Sequence, residues 1–335
     1  MSMRFVGIAE AKPGDRAQVV KNLKNLRFDE REKVEGIVDA LAAEAKDPYA
    51  ASLPMIMSAK LGDAVRAPAT LQKMGDLLSG LDEKPESFPA WQRSNSFKAW
   101  MWGRYLLAAD AVNDLANREL AKKRLAGLLE QRLTKDDLLA FFAWAWGYRG
   151  ALNEAEYEAS KVTMLEDARV LTAQYKSPDK DADTSPNAVH ERLSNAMWSW
   201  VMNIQAAAML RDSDTYEEIK RQMKLITGQE TVTAALETAL LRTEASNDYP
   251  GWGMAIVRNA AAIMEDEALF QELGKALPAI IGGADKAGAK AEYAFAVLDN
   301  QLALHAHMKL KVMATATTAA PKTSGDNNQS LRSKL

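Results

Sequence analysis

The chain has no cysteine among its 335 residues. This absence excludes a disulfide scaffold, a thiol enzyme, an iron–sulfur protein and any zinc site that needs thiolate ligands. Glycine and proline are also few, at 18 and 11 residues, while hydrophobic residues make up 47% of the chain. That composition excludes a disordered protein, because it provides ample apolar surface for a core.

The chain also lacks an excess of one charge and a long hydrophobic run. Its 42 basic and 45 acidic residues give a net charge of −3, so nothing favours binding to nucleic acid. No apolar run reaches the ~18 residues of a membrane span, and the N-terminus turns polar too early for a signal peptide. We therefore expect a soluble cytoplasmic protein. The final Ser333-Lys334-Leu335 matches a peroxisomal import signal, which makes the peroxisome the alternative in a eukaryotic source.

Recognisable catalytic and metal-binding motifs are missing as well. His190 begins a zincin-like pair, but Ser194 stands where the second histidine is needed. His305 and His307 are two residues apart, so on a helix they cannot converge on one ion. The glycine-containing segment 283–290 lacks the lysine of a phosphate-binding loop. We predict no metal ligand, no cofactor and no catalytic residue, which favours a non-enzymatic protein and leaves its enzymatic status open.

The residues that are abundant favour helices. Alanine accounts for 58 positions, and together with leucine, methionine, glutamate, lysine and arginine it dominates almost every long stretch. Residues 4–9 are the only weak strand candidate. The pattern predicts an all-α protein of thirteen or fourteen helices, near residues 14–26, 29–46, 49–61, 68–80, 89–115, 117–132, 135–148, 152–176, 187–211, 215–227, 230–245, 251–264, 266–277 and 286–314.

Local signals mark some helix ends and one break between helices. Ser185-Pro186 predicts a capped helix start, Thr215 with Glu218 forms a capping box, and the glycines at 282–283 predict a helix end. The polar segment 177–186 predicts a boundary between an N-terminal region, 1–178, and a C-terminal region, 185–316. One continuous domain over 14–316 is the alternative, and residues 317–335 are predicted to be a flexible tail.

Tryptophan pairs indicate a weak internal repeat. Six of the eight tryptophans form W-x-W pairs, two of them followed by glycine, and Trp252-Gly253 resembles a reduced fourth copy. The second tryptophans of the pairs and Trp252 are 44, 54 and 52 residues apart, the length of a helical hairpin with its loops. We therefore predict stacked helical hairpins, in an α-solenoid-like array, or an irregular multi-helix bundle. The paired residues are Trp100, Trp102, Trp144, Trp146, Trp198 and Trp200.

Two interpretations of these pairs remain open. Residues two apart on a helix point about 200° apart, so each helix either packs between neighbours or uses one ring of each pair to line a groove. Our leading hypothesis is a non-enzymatic scaffold, adaptor or assembly subunit that binds protein partners, or itself, through these six tryptophans. One alternative is an all-α enzyme or small-ligand protein whose pocket is built from dispersed Arg, Tyr and Glu residues. Another is a self-assembling component of a virion or secretion apparatus.

Overall fold

The computed structural model describes residues 22–131, 139–241 and 250–319, and in these ranges the chain is helical, without strands. The all-α prediction is thus confirmed. Two short 3-10 helices, Pro85–Ser87 and Ala90–Arg93, separate the third and fourth α-helices. The α-helices are α1 (Arg31–Glu44), α2 (Pro48–Leu61), α3 (Arg66–Glu83), α4 (Asn95–Ala111), α5 (Leu115–Glu130), α6 (Leu139–Gly150), α7 (Glu154–Lys176), α8 (Pro186–Leu210), α9 (Ser213–Thr227), α10 (Val232–Leu240), α11 (Pro250–Met264), α12 (Glu267–Lys286) and α13 (Lys290–Ala319).

Side-chain caps fix where many of these helices begin. The predicted cap at Ser185 is confirmed, since its hydroxyl accepts the Ala188 N–H and α8 begins at Pro186. Each such cap contributes about 1 kcal/mol, because it satisfies a backbone donor that has no partner within the helix. Among the described helices, the capping residues are Asp47, Ser94, Asp114, Asn153, Ser185, Asp212, Thr231 and Asp266.

Two predicted helix ends were wrong, each for a local reason. Helix α9 begins at Ser213 rather than Thr215, because the Asp212 carboxylate caps it and accepts both the backbone N–H and the hydroxyl of Thr215. Helix α12 continues through the glycines at 282–283 to Lys286, and Gly288, with φ at 71°, provides the left-handed turn residue.

Some predicted segments lie partly or wholly outside the described residues, and one further helix start differs from its prediction. Residues 22–26, the described part of the predicted helix 14–26, are not helical. Helix α4 begins six residues later than predicted, after the Ser94 cap. The strand candidate 4–9 and the C-terminal tripeptide lie outside the described residues, and α13 extends into the predicted tail as far as Ala319.

Six of the helices form an inner ring. In order around it, α2, α4, α6, α8, α11 and α13 each pack against the next, and α13 packs back against α2. The hairpins predicted from the tryptophan spacing therefore curve until the last inner helix meets the first. Outside this ring lie α1, α3, α5, α7, α9, α10 and α12, each packed against at least one inner helix.

Two lysines connect the ends of the ring. Lys60 on α2 forms a buried ion pair with Asp299 on α13. On the outside, the Lys33 ammonium lies 2.5 Å from the Asp285 carboxylate and 4.0 Å from the centroid of the Tyr293 ring. Closure therefore joins residues 239 and 252 positions apart through contacts of opposite charge.

Glycines of the tryptophan repeat permit close packing between inner helices. A Cβ on Gly103 would lie 3.2 Å from the Ala145 Cα, and a Cβ on Gly147 would lie 2.6 Å from the Met202 Cβ. Each glycine follows the second tryptophan of a pair, at the contact with the next inner helix. The A-W-x-W-G pattern thus combines a bulky ring with the small residue that lets the neighbouring backbone approach.

The predicted break at 177–186 becomes the connection between α7 and α8. Because α8 packs against both α6 and α7, and one hydrophobic cluster includes Trp102 as well as Trp200, the described parts of the two predicted regions share a core. The domain boundaries themselves stay a prediction. None of the described helices has a stretch apolar and long enough to cross a membrane.

Candidate functional site on the ring axis

The first tryptophan of each pair lies on the axis of the ring. Trp100 contacts Trp144, with ring centroids 4.8 Å apart, and Trp198 contacts Trp252 at 5.2 Å. Trp252 also stacks on Phe295 at 4.1 Å. The reduced fourth copy of the repeat therefore belongs to the same aromatic layer. We call this layer, contributed by all six inner helices, the axial aromatic layer: Tyr49, Trp100, Trp144, Trp198, Trp252 and Phe295.

The second tryptophan of each pair points elsewhere, as the helix geometry requires. The Trp200 indole N–H donates to the Thr172 hydroxyl of the outer helix α7 at 3.0 Å. Trp102 is only 4% exposed and packs edge-on against Tyr105. Trp146 is half-buried, with the Arg149 guanidinium 5.4 Å from its ring centroid.

Partner binding by the six tryptophans stays a prediction. Trp100, Trp102 and Trp200 are buried in the folded chain, whereas Trp144, Trp146 and Trp198 are half-buried. A partner of the folded protein would therefore meet the second group.

A buried arginine lies beneath the aromatic layer. The Arg104 guanidinium is 4.4 Å from the Trp100 ring centroid, 5.5 Å from that of Trp252 and 6.0 Å from that of Tyr49. Its Nη1 donates to the Ser52 hydroxyl at 2.7 Å. It therefore connects inner helices α2, α4 and α11 at the centre of the ring.

A pocket opens on the axis two helical turns from the aromatic layer. Its volume, counted as the space open to the centres of water molecules, is about 50 Å³. Six of its lining residues follow the six members of the axial aromatic layer by seven residues each. Five of them lie on the same helix as that member, on the same face about 10 Å further along, and Ala151 lies in the turn directly after α6. The six residues are Ile56, Leu107, Ala151, Gln205, Asn259 and Leu302.

The pocket wall includes one buried ion pair. Lys60 and Asp299 both line the pocket, and the Lys60 Nζ lies 2.5 Å from the Asp299 Oδ1. Burial raises the pKa of the Asp299 carboxyl, while the Lys60 ammonium and the Trp252 indole N–H act in the opposite direction. The net effect is a raised pKa, because the cost of desolvation outweighs what its partners contribute to the charged form.

Two amides also line the pocket, and neither has a hydrogen-bond partner among the described residues. Asn259 is 3% exposed and its Oδ1 is buried and unpaired; Gln205 is half-buried. A further lining acid, Asp110, pairs with Arg118 at 3.4 Å. The charged groups of the wall therefore have partners, whereas its neutral amides offer unused donors and acceptors.

Two of the three histidines, His305 and His307, lie partly buried on α13. His307 stacks on Phe270 at 4.2 Å, and burial lowers its pKa. Burial likewise lowers the pKa of His305. In the described ranges, no three His, Asp or Glu side chains are grouped closely enough to hold a metal ion.

Comparison with known proteins gives no relative from which a function could be transferred. No protein-family model, curated protein or solved structure matches this chain. The geometry of the ring axis is therefore the basis for assigning a function.

The sequence alone missed the residues that form this site. Arg104 follows Trp100 by four residues on the same helix face, and Asn259 follows Trp252 by seven, so helical spacing carries a signal once an axial tryptophan is known. The pairing of Lys60 with Asp299 leaves no such signal, because it depends on the closure of the ring.

Proposed function

We propose that this protein is a small-molecule-binding protein that holds its ligand in the axial pocket. The observation that carries the proposal is the pair of unpaired amides, Gln205 and Asn259, in a pocket lined by five of the inner helices and by Ala151, the residue directly after α6. Buried polar groups are ordinarily hydrogen-bonded, and an unpaired one costs about 1–3 kcal/mol. The buried Asn259 Oδ1 carries that cost, and a ligand that bonds to it and to the Gln205 amide would recover it.

The charges of the wall indicate the class of ligand. Lys60 is paired with Asp299, and Asp110 with Arg118, so neither sign of charge is in excess there. An amide offers both a donor and an acceptor. The pocket therefore suits a small neutral polar group, such as a primary amide, a urea or a vicinal diol.

The size of the pocket sets an upper limit. A water molecule needs roughly 10–15 Å³ by the same measure, so about 50 Å³ accommodates about four non-hydrogen atoms. A larger ligand would have to leave its remainder outside the pocket.

A thermal-shift screen tests this function. Urea, small amides, diols, amino acids and sugars are added in turn to the full-length chain, and the melting temperature is followed. A true ligand raises it in a saturable way, because it binds the folded state only. Asn259→Leu should abolish the ligand-induced shift measured from that variant's own melting temperature.

Asn203→Leu is the matched control. Asn203 is also buried on an inner helix with an unpaired Oδ1, but its Nδ2 donates to the Met164 carbonyl at 3.1 Å and it does not line the pocket. This variant should keep the ligand-induced shift. A screen without any saturable shift, or an Asn259→Leu variant that keeps the full shift, contradicts the proposal.

The interaction hypothesis is supported by no contact in the structure and stays a prediction. It has its own readout, since a scaffold would capture a stoichiometric partner whether or not Asn259 is replaced.

A further inference from the structure

Arg104 is a buried cation without an acidic partner. It is 3% exposed, and it forms no ion pair with any carboxylate among the described residues. A charge in the protein interior is ordinarily paired, because removing it from water costs several kcal/mol. The aromatic layer therefore surrounds a positive charge that the chain does not neutralise there.

The other buried cations of the described chain have either an acidic partner or more hydrogen-bond acceptors. Lys60 has the Asp299 carboxylate. Arg258, 8% exposed, donates from Nε to the Phe270 carbonyl at 3.2 Å and from Nη1 to the Asn300 side-chain oxygen. Arg104 has only the neutral Ser52 hydroxyl as an acceptor.

One edge of the Arg104 guanidinium remains unused. Nη1 donates to Ser52, whereas Nε is buried without a partner and Nη2 has no acceptor among the described residues. Nε and Nη2 form the side edge of the guanidinium, whose two parallel N–H groups match two oxygens of a carboxylate or phosphate. The guanidinium also lies over aromatic rings, with the Trp100 centroid nearest at 4.4 Å, and these contacts leave Nε and Nη2 without an acceptor.

The aromatic rings account for the position of the cation but not for the open edge. Cation–π contacts contribute about 0.5–2 kcal/mol each and act on the face of the ring. They provide no acceptor for Nε or Nη2. An acceptor that carries a negative charge would both fill the edge and balance the charge.

We propose that Arg104 is the anchor of an oxyanion-binding site on the ring axis, which takes the carboxylate or phosphate group of a small molecule. Two oxygens of the anion accept from Nε and Nη2, and the ring of Trp100 covers a face of the guanidinium. This site is separate from the axial pocket, whose wall does not include Arg104, and it does not depend on the neutral ligand proposed there.

The test uses the full-length chain with sodium phosphate, sodium acetate and sodium chloride at equal ionic strength. We expect phosphate or acetate, but not chloride, to raise the melting temperature in a saturable way, by about 3 °C or more at saturation. Isothermal titration should show that Arg104→Met weakens the binding of that anion by about 100-fold, as the loss of two charge-assisted hydrogen bonds implies. Phosphate alone identifies a phosphate site, and acetate alone a carboxylate site.

Two further variants separate binding from folding. Arg258→Met removes the other buried arginine and should leave the anion-induced shift unchanged. Arg104→Lys keeps the charge but loses the two-pronged edge, so it should retain only a small part of the affinity. Without anion, Arg104→Met should melt no lower than the wild type, because it removes a buried charge that has no counter-charge.

Either of two results would overturn the proposal. If neither oxyanion gives a saturable shift in the wild type, or if Arg104→Met keeps it, Arg104 is held by its aromatic neighbours alone. A strong loss of stability in anion-free Arg104→Met would also overturn it, since the arginine would then be a structural group.

Discussion

Replacing the two members of the buried ion pair, singly and together, tests how the ring is closed. The Lys60 side chain is 10% exposed and the Asp299 side chain 1% exposed, so removing either member leaves a charge that water barely reaches. Breaking a buried pair in this way costs about 3–5 kcal/mol. We therefore expect Lys60→Met and Asp299→Asn each to lower the free energy of unfolding by about 3 kcal/mol at pH 8.

The double variant should cost much less than the two single variants added together. It leaves no buried charge, and the asparagine keeps an oxygen for the Trp252 indole N–H. We expect a total loss of about 3 kcal/mol, and hence a coupling energy of about 3 kcal/mol between the two positions. Urea denaturation followed by circular dichroism measures these values, provided that the m value stays unchanged among the variants.

The pH dependence of Lys60→Met gives a second, independent readout. Burial already raises the pKa of Asp299, and loss of the ammonium raises it further. A carboxyl with a raised folded-state pKa destabilises the protein as the pH rises through that value, and this penalty is absent below the unfolded pKa of about 3.9. The cost of Lys60→Met should therefore shrink between pH 8 and pH 4, whereas that of the double variant should not. Single-variant costs that simply add within about 0.5 kcal/mol, or a Lys60→Met cost independent of pH, would refute this account.

Two further predictions concern Asp212, which caps the outer helix α9, and Gly147 on the inner helix α6. Burial opposes ionisation of Asp212, but hydrogen bonds from Lys161 and others outweigh it and lower its pKa to about 2. Asp212→Asn should therefore lower the free energy of unfolding by about 2 kcal/mol above pH 4. Urea denaturation should show this difference vanish as the pH falls toward 2. Gly147→Ala should destabilise by about 1–3 kcal/mol, because the new Cβ would lie 2.6 Å from the Met202 Cβ. Its control, Gly36→Ala, meets nothing within 4 Å and should stabilise by about 0.5–1 kcal/mol in thermal melts.

Helix type and part of the tryptophan arrangement could be predicted from the sequence because they depend on neighbouring residues. Composition predicts helices, and Ser185 caps one at the predicted place. The 200° separation within each W-x-W pair predicts that the two rings face opposite sides, and Trp198 and Trp200 do so, one on the axis and one against α7.

What could not be predicted depends on contacts between distant parts of the chain. Thr215 with Glu218 satisfied the capping-box pattern, but Asp212, three residues earlier, is an equally favourable cap and accepts the Thr215 N–H, so that Thr215 already lies inside the first turn. The pocket needs the ring to be closed, and closure brings together Lys60 and Asp299, 239 positions apart. A single sequence holds no periodicity that links such a pair.

The two proposed sites follow from one repeated geometrical relation. On five of the inner helices, an aromatic residue of the axial layer is followed seven residues later by a residue that lines the pocket, which places the two levels about 10 Å apart on the same face. The corresponding residue after Trp144, Ala151, is the first residue beyond α6. Arg104 and Asp299 each lie four residues after a member of the aromatic layer, Trp100 and Phe295, and therefore lie between those levels. The aromatic layer thus covers these charged groups from one side of the ring axis. Of the two axial cations, the chain pairs Lys60 with Asp299, whereas we propose that the edge of Arg104 binds an anion from outside the chain.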